Sequence, residues 1–202
     1  MGESRVIGAA DLETSNPQHD DLMTCIQRAM TIANAAPRDL GRVAVSIGPG
    51  GFTNVRIAIT TARMIAEVTG AACVPVASAQ VVSRRVTARP PYAVALASKG
   101  ETAHVTCFSE AWHPIGPASI MSAGDVPALA AQGFKSLVAD HHLPPSMREA
   151  AMRAAMTIIE PTFDPVACLE AGLELPPSDP VALAPLYPRE PEAVTKWRAL
   201  RK

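Results

Sequence analysis

A glycine-rich run, Gly48-Pro49-Gly50-Gly51, stands between two apolar segments of different character. Residues 43–47 before it form a short apolar run typical of a buried strand, and the segment from Val55 to about Val68 has helical apolar spacing. This order predicts a strand, a tight turn and a helix start, where backbone N–H groups converge on one point. The glycines provide the backbone freedom that such a turn needs. The run therefore indicates a layered α/β fold.

Two interpretations of this loop stay open. A P-loop requires Lys and Ser or Thr directly after its last glycine, and Phe52 and Thr53 stand there instead. In the structural interpretation, Phe52 fills the core while Thr53 or Asn54 caps the following helix. In the other, the loop binds a phosphate. The residues that would serve either role are Gly48, Gly50, Gly51 and Thr53.

The rest of the chain alternates between predicted strands and helices, which is typical of a mostly parallel sheet covered by helices. A first helix is predicted at residues 20–35 and the helix after the glycine run at residues 54–69. The later predictions are strands at 72–77, 92–97, 103–108, 135–139 and 157–159, and helices at 79–86, 125–132, 146–156 and from Asp164-Pro165 to about Gly172.

The glycine run and its flanks closely resemble G-P-G-S-F-T-G-V-R-I-G, the signature of the bacterial tRNA threonylcarbamoyladenosine biosynthesis protein TsaB. Residues 19–23, His-Asp-Asp-Leu-Met, stand where that family has H-S-E-R-L-L. Residues 185–193 are similar to its closing P-x-Y-L-R-x-P-x-A segment. The resemblance implies the actin-like ATPase (ribonuclease H-like) α/β fold with two subdomains.

On that resemblance, we expect an N-terminal subdomain at 1–88, a C-terminal α/β subdomain at 89–175 and a proline-rich tail at 176–202. The family opens with a strand ending in D-T-S, followed by a hairpin and a third strand. Only 18 residues precede His19 here, too few for three strands of about 5–6 residues each. We therefore expect a divergent, N-terminally shortened member whose first sheet is incomplete.

The resemblance implies a non-catalytic scaffold for the threonylcarbamoylation of adenosine 37 in tRNA. In the family, TsaB pairs with the catalytic subunit TsaD through a bundle of its first two helices, and the ATPase TsaE joins them. Helical spacing places apolar and small residues on such a seam. The predicted partner-binding residues are Leu22, Ile26, Met30, Arg56, Ile59, Ala62 and Ala66. The same surface fits a homodimer equally well, as in a degenerate paralogue without a role in tRNA modification.

Arg56 stands in the first turn of its predicted helix, where the helix dipole disfavours a cation. A carboxylate at Asp20 or Asp21, or one on another chain, would explain it. A second departure from the family lies at Ala97, where TsaB proteins have Asp. The argument about Arg56 depends on the predicted helix, and the argument about Ala97 depends on the resemblance to TsaB.

Catalytic chemistry is not expected from this sequence. Catalytic relatives hold a metal with an H-x-x-x-H pair on a helix, and none of the five histidines forms such a pair. We predict no catalytic residue, no metal and no cofactor. A formal net charge of -1 gives no electrostatic signature of direct nucleic-acid binding. With no apolar run near the ~20 residues that span a bilayer, we expect a cytoplasmic protein without a membrane segment.

Overall fold

The computed structural model describes residues 5–11, 22–110, 112–189 and 197. Six α-helices and seven strands lie in these ranges. The helices are α1 (Leu22–Ile32), α2 (Phe52–Thr69), α3 (Ser78–Ser83), α4 (Val126–Ala131), α5 (Pro145–Arg153) and α6 (Pro165–Glu174). The strands are β1 (Arg42–Ser46), β2 (Ala72–Val76), β3 (Tyr92–Lys99), β4 (Thr102–Phe108), β5 (Ser119–Ser122), β6 (Ser136–Ala139) and β7 (Thr157–Ile159).

The strands form two separate sheets. In the first, β1 pairs with β2 in parallel. The second has the order β5-β4-β3-β6-β7, in which β3 is antiparallel to β4 and parallel to β6. The predicted α/β architecture is confirmed. Within the described residues the first sheet has only its two parallel strands, as the short N-terminal segment led us to expect.

Helices cover both faces of the small first sheet. On one face α2 packs its buried stripe against Val45 of β1 and Cys73 of β2. On the other face Ala167 and Ala171 of α6 pack with Val76 of β2. The predicted boundary at residue 175 assigns α6 to the second subdomain, whereas these contacts attach it to the first sheet.

Helix α3 lies between the two sheets and joins them. Ala79 and Val82 pack with the buried face of the second sheet, while Val81 packs with α6. Beyond the helix, the Arg85 guanidinium forms ion pairs with Asp164 and, at 3.0 Å, with Glu170. The hydrogen bond from Arg85 lowers the pKa of Asp164. Asp164 also caps α6, because its side chain accepts from the Val166 N–H at 2.8 Å.

Strand β4 presents two chemically different faces. Ala103 and Val105 face the apolar core beneath α4 and α5. His104 and Thr106 alternate with them, so their side chains point to the opposite face of the sheet. That face is turned toward α3 and the first subdomain, where Phe108 packs with Ala79.

Most predicted elements are confirmed, with ends that differ by a few residues. Helix α2 begins at Phe52, two residues before the predicted start. Residues 20 and 21 of the first predicted helix lie outside the described residues, and α1 ends at Ile32 instead of residue 35. Strand β5 was not predicted, and its four residues alternate too briefly to be recognised. Among the described residues, no helix is both long and apolar enough to cross a membrane.

Candidate functional site

Helix α1 lies loosely on the first subdomain. None of its side chains is fully buried. Leu22, Ile26 and Met30 line an apolar cavity of about 420 Å³ that separates α1 from β1 and α2. A second cavity of about 450 Å³ opens on the outer side of α1, beside Met23 and Met30. Of its apolar residues, Met23 and Ile32 are exposed, whereas Leu22, Ile26 and Met30 are part-buried.

Helix α2 is packed much more tightly. Ile59, Ala62 and Ala66 are only 3–4% exposed and belong to the core that α2 forms with the first sheet. Their spacing predicted a seam with another chain, and the structure corrects this assignment. Since a stripe of small residues suits a sheet as well as a helix, sequence spacing alone could not separate the two outcomes.

The exposed apolar residues of α2 are different ones. Ile57, Met64 and Val68 are 39%, 62% and 86% exposed. Their positions at i, i+7 and i+11 place them on one stripe of the helix. This stripe neighbours Thr61 and Ile65, which line the cavity shared with α1. We call these six residues the α1–α2 face: Leu22, Ile26, Met30, Ile57, Met64 and Val68.

The glycine-rich loop ends in an uncapped helix. Gly51 occupies the N-cap position and provides no side-chain cap for the first turn of α2. The predicted cap by Thr53 or Asn54 is therefore wrong, because α2 starts at Phe52 and puts both residues inside the helix. Gly48 has a positive φ of 100°, and a side chain there would meet the Leu186 carbonyl oxygen at 3.3 Å. This close approach favours the structural interpretation, and phosphate binding by the loop remains a prediction.

Phe52 lies on the surface instead of in the core, which corrects the prediction made for it. It is 59% exposed. Its ring stacks on Tyr187 with centroids 5.6 Å apart, and the Arg56 guanidinium lies 5.0 Å from the Phe52 centroid. The ring face thus provides a local partner for the cation. Asp20 and Asp21, the carboxylates proposed for Arg56, lie outside the described residues.

Residues 185–189 connect the two subdomains, and we call them the closing strap. The Leu186 N–H donates to the Ile47 carbonyl at 2.8 Å, next to the glycine-rich loop. At the other end, the Arg189 guanidinium donates to the Ala97 carbonyl at 2.9 Å and to the Thr102 hydroxyl at 2.7 Å. The last four residues of the closing sequence motif, 190–193, lie outside the described residues.

The strap reaches the β3–β4 hairpin at an irregular point. The register between β3 and β4 shifts between Leu96 and Lys99. Ala97, within this bulge, has φ of 51°, in the left-handed region that an alanine rarely adopts. Its carbonyl is thereby available to Arg189. The position that carries Asp in TsaB proteins thus contacts the closing strap through its backbone.

Residues 13–132 match the family described as TsaD, tRNA N6-adenosine threonylcarbamoyltransferase. This match spans more than half of the 202 residues. The chain belongs to the TsaD family. The resemblance to TsaB found in the sequence is confirmed at the level of family and fold.

Solved structures show that this member of the TsaD family has the fold of YeaZ, another name for TsaB. An uncharacterized Pseudomonas aeruginosa protein, described as similar to peptidase YeaZ, aligns with a TM-score of 0.65 and 16% identity, over 86% of this chain and 84% of the other. YeaZ from Pseudomonas aeruginosa aligns with a TM-score of 0.56 and 16% identity, over 84% and 85%. No curated protein matches the sequence.

The histidines of this TsaD-family chain are dispersed in the structure. His141 and His142 lie together on the surface, with ring centroids 3.9 Å apart, whereas His104 is buried on β4. His19 lies outside the described residues. In the ranges that the structure describes, no three His, Cys, Asp or Glu side chains come together as metal ligands.

Replacing Arg189 by Met is expected to lower the free energy of unfolding by about 1–3 kcal/mol. The change keeps the aliphatic length and removes the donors to Ala97 and Thr102, whose oxygens are partly buried. Chemical denaturation monitored by far-UV circular dichroism measures the loss. Arg153→Met is the matched control, because that side chain is 71% exposed. Equal stability of the two variants would show that the strap does not join the subdomains energetically.

Proposed function

We propose that this chain is a non-catalytic subunit that supports threonylcarbamoylation of adenosine 37 in tRNA by binding a TsaD-like catalytic subunit. Membership of the TsaD family and the YeaZ fold support the role in tRNA modification. The observation that carries the partner is the α1–α2 face, in which Ile57, Met64 and Val68 of α2 are exposed and the three residues of α1 are part-buried. The proposal places the chain in the cytoplasm with its tRNA-modifying partners.

The α1–α2 face has the properties of an interface that is incomplete in the free chain. Ile57, Met64 and Val68 expose apolar surface that burial would stabilise by about 1.5–3 kcal/mol for each fully covered side chain. On α1, the cavity beside Met23 and Met30 leaves room for an opposing helix. Two helices of a partner packed on this pair would complete a four-helix bundle, which is the pairing that the TsaB resemblance implies.

The non-catalytic part of the proposal depends on the sequence. Catalytic relatives use an H-x-x-x-H pair, and residues 1–202 contain none. At Ala97 the chain also has no carboxylate where TsaB proteins have one, and the Ala97 carbonyl bonds Arg189. We therefore assign the metal and the chemistry to the partner. A TsaE-like ATPase joins this pair in our proposal, as the resemblance implies.

A homodimer is the second candidate, favoured by the same face. A two-fold axis would bring the α1–α2 face of one copy against that of another and cover the same apolar residues. In that case the chain would be a degenerate paralogue that no longer serves tRNA modification. Within the described residues the first sheet has two strands, which is consistent with such divergence.

Co-purification with TsaD from the same organism tests the proposal. The two proteins are co-expressed with a tag on this chain, and the molar mass of the eluted complex is measured by light scattering. We expect a stable one-to-one complex, and threonylcarbamoylation of tRNA by TsaD that depends on adding this chain. A homodimer that leaves TsaD in the unbound fraction would contradict the proposal and support the paralogue.

A further inference from the structure

Strand β1 of the first sheet has a neighbour on one edge only. Alternate residues of β1 bond to β2 in the parallel ladder, which ends where the Ile47 N–H donates to the Val76 carbonyl at 2.9 Å. Successive residues of a strand direct their N–H and C=O groups to opposite edges. The residues that point away from β2 are Arg42, Ala44 and Ser46. Among the described residues, no main-chain hydrogen bond reaches them from that side.

The outer edge of β2, in contrast, is protected. Its outward-facing residues are Cys73 and Pro75. The Cys73 carbonyl accepts from the Ser178 N–H at 2.8 Å, and Pro75 has no N–H to offer. Proteins close sheet edges in such ways because an open edge pairs with other chains. On β1 there is no proline, and the guanidinium of its one charged residue, Arg42, is bound to carbonyl oxygens at the end of α6.

The composition of β1 is that of a strand with neighbours on both sides. Residues 43–47, Val-Ala-Val-Ser-Ile, carry apolar or small side chains on both faces, which is typical of interior strands in parallel sheets. Of the five residues of β1, however, only Val45 is buried. Three residues of β2, by comparison, are 0–1% exposed: Cys73, Val74 and Val76. The sequence of β1 therefore suits a more enclosed position than the described residues provide.

The apolar cavity of about 420 Å³ beside α1 follows this open edge. Four consecutive residues of β1, 42–45, line it, so the cavity runs along the strand. Most of its other lining residues come from α1 and α2, and Arg42 is the one charged residue among them all. Because α1 overlies the cavity, the space suits an extended segment and is too small for a second folded subdomain.

No part of this chain within the described ranges pairs with the open edge. Residues 5–11 contribute to the cavity lining but lie on α1, where a methyl group at Gly8 would meet the Ala29 carbonyl oxygen at 2.5 Å. The longer stretches outside these ranges are polar or charged in sequence. Residues 12–21 contain one large apolar side chain, Leu12, and residues 190–196 contain three charged ones. An apolar strand would therefore come from another polypeptide.

We propose that an extended apolar segment of a partner protein pairs with residues 42–46 and becomes a third strand of the first sheet. Its main chain would bond the outward N–H and C=O groups of β1, and its apolar side chains would fill the cavity beside α1. This inference goes beyond the proposed function. The exposed stripe of α2, with Ile57, Met64 and Val68, does not line the cavity. Binding of TsaD and binding of the strand can therefore fail separately.

The wild-type protein is titrated with a synthetic octapeptide that alternates valine and alanine between terminal lysines. Amide ¹H–¹⁵N nuclear magnetic resonance follows the individual N–H groups. We expect saturable binding with a Kd of about 10–500 µM, weak because the free peptide must be ordered. At saturation, hydrogen exchange of the Ala44 and Ser46 amides should slow at least about tenfold. The Val45 amide, which already bonds to β2, is the internal reference.

Two analogues of the peptide separate strand pairing from simple apolar binding. One is N-methylated on the valines and the other on the alanines, so each loses the donors along one edge only. Pairing with β1 predicts that one analogue fails to bind while the other binds much like the parent peptide. Equal binding of both analogues would show that the cavity holds apolar side chains without strand pairing, and would contradict the proposal.

Ala58→Leu locates the peptide in this cavity. Ala58 lines the cavity from α2 and is part-buried, so the larger side chain would occupy the space. Peptide binding should weaken at least about tenfold. The Tm of the free protein should stay equal or rise, because part of a void is filled. Ala128→Leu, at an exposed position on α4, is the matched control and should bind like the wild type.

Absence of saturable peptide binding would overturn the proposal. Exchange of the Ala44 and Ser46 amides as slow as that of Val45 in the free protein would do the same, because the edge would then already be closed. If that protection appears only as the protein concentration rises, a second copy occupies the edge and the partner assignment is wrong. Should Ala58→Leu fail to fold, the two N-methylated analogues still decide whether the strand pairs.

Discussion

Met64→Asp is expected to weaken binding of a TsaD-like partner at least about 100-fold, which corresponds to the loss of a residue that contributes about 3 kcal/mol at an interface. Met64 is 62% exposed at the middle of the apolar stripe of α2. In the free chain, the new carboxylate stays in water and should change stability by no more than about 0.5 kcal/mol. In a complex it would be buried without a partner.

Met152→Asp is the matched control for this experiment. Met152 is 67% exposed, but it lies on α5, which packs against the second sheet. Affinities are measured by biolayer interferometry with immobilised TsaD, and Tm by differential scanning fluorimetry. Equal affinities of the two variants would place the partner on another surface. Applied to the protein alone, the same pair tests the homodimer, because Met64→Asp should then convert a dimer to a monomer.

Gly172→Ala is expected to lower the free energy of unfolding by about 3 kcal/mol, near the upper end of ordinary overpacking. A methyl group at position 172 of α6 would lie 2.3 Å from the Ala44 Cβ on β1. Neither group can rotate away, so the helix would have to move off the sheet. Arg42 resists that movement, because its guanidinium donates to the carbonyls of Gly172 and Leu173 at 2.6 and 3.2 Å.

Thermal denaturation measures this effect, and we expect a fall in Tm of about 6–12 °C for a chain of this size. Gly41→Ala is the control, since a methyl group there meets no atom within 4 Å. In the double variant Ala44→Gly with Gly172→Ala, the clashing methyl group of β1 is removed. Part of the lost stability should return. A Gly172→Ala protein as stable as Gly41→Ala would show that α6 is not held in close contact with β1.

Local sequence patterns were sufficient for most elements after residue 90. The strand pair around the Lys99–Glu101 turn and the helix opened by Asp164-Pro165 are confirmed, and Asp164 caps α6 as its position predicts. These features depend on short-range physics: alternation along a strand, and a side-chain oxygen beside free N–H groups. Such signals do not depend on which helices and strands pack against each other in the fold.

The spacing of apolar residues along α2 could not show which face of the helix is buried. Ile59, Ala62 and Ala66 form a stripe that suits a partner helix, yet their own sheet covers them. The exposed stripe with Met64 differs from it by a rotation about the helix axis. Only the position of β1 and β2 decides which stripe is buried, because a helix with apolar residues over a wide arc can present either one.

The glycine-rich loop and the closing strap also separate what local sequence predicts from what only the tertiary structure decides. By itself, the sequence determined a strand–turn–helix unit, an α/β fold and a family signature, because these depend on residue type at fixed local spacing. The tertiary structure alone decided that Phe52 stacks on Tyr187 outside the core. It also decided that Arg189 joins Ala97 and Thr102, and that His104 faces a cavity without a partner. The physical reason is that contacts between residues distant in the chain depend on how the two sheets are placed, which local spacing does not specify.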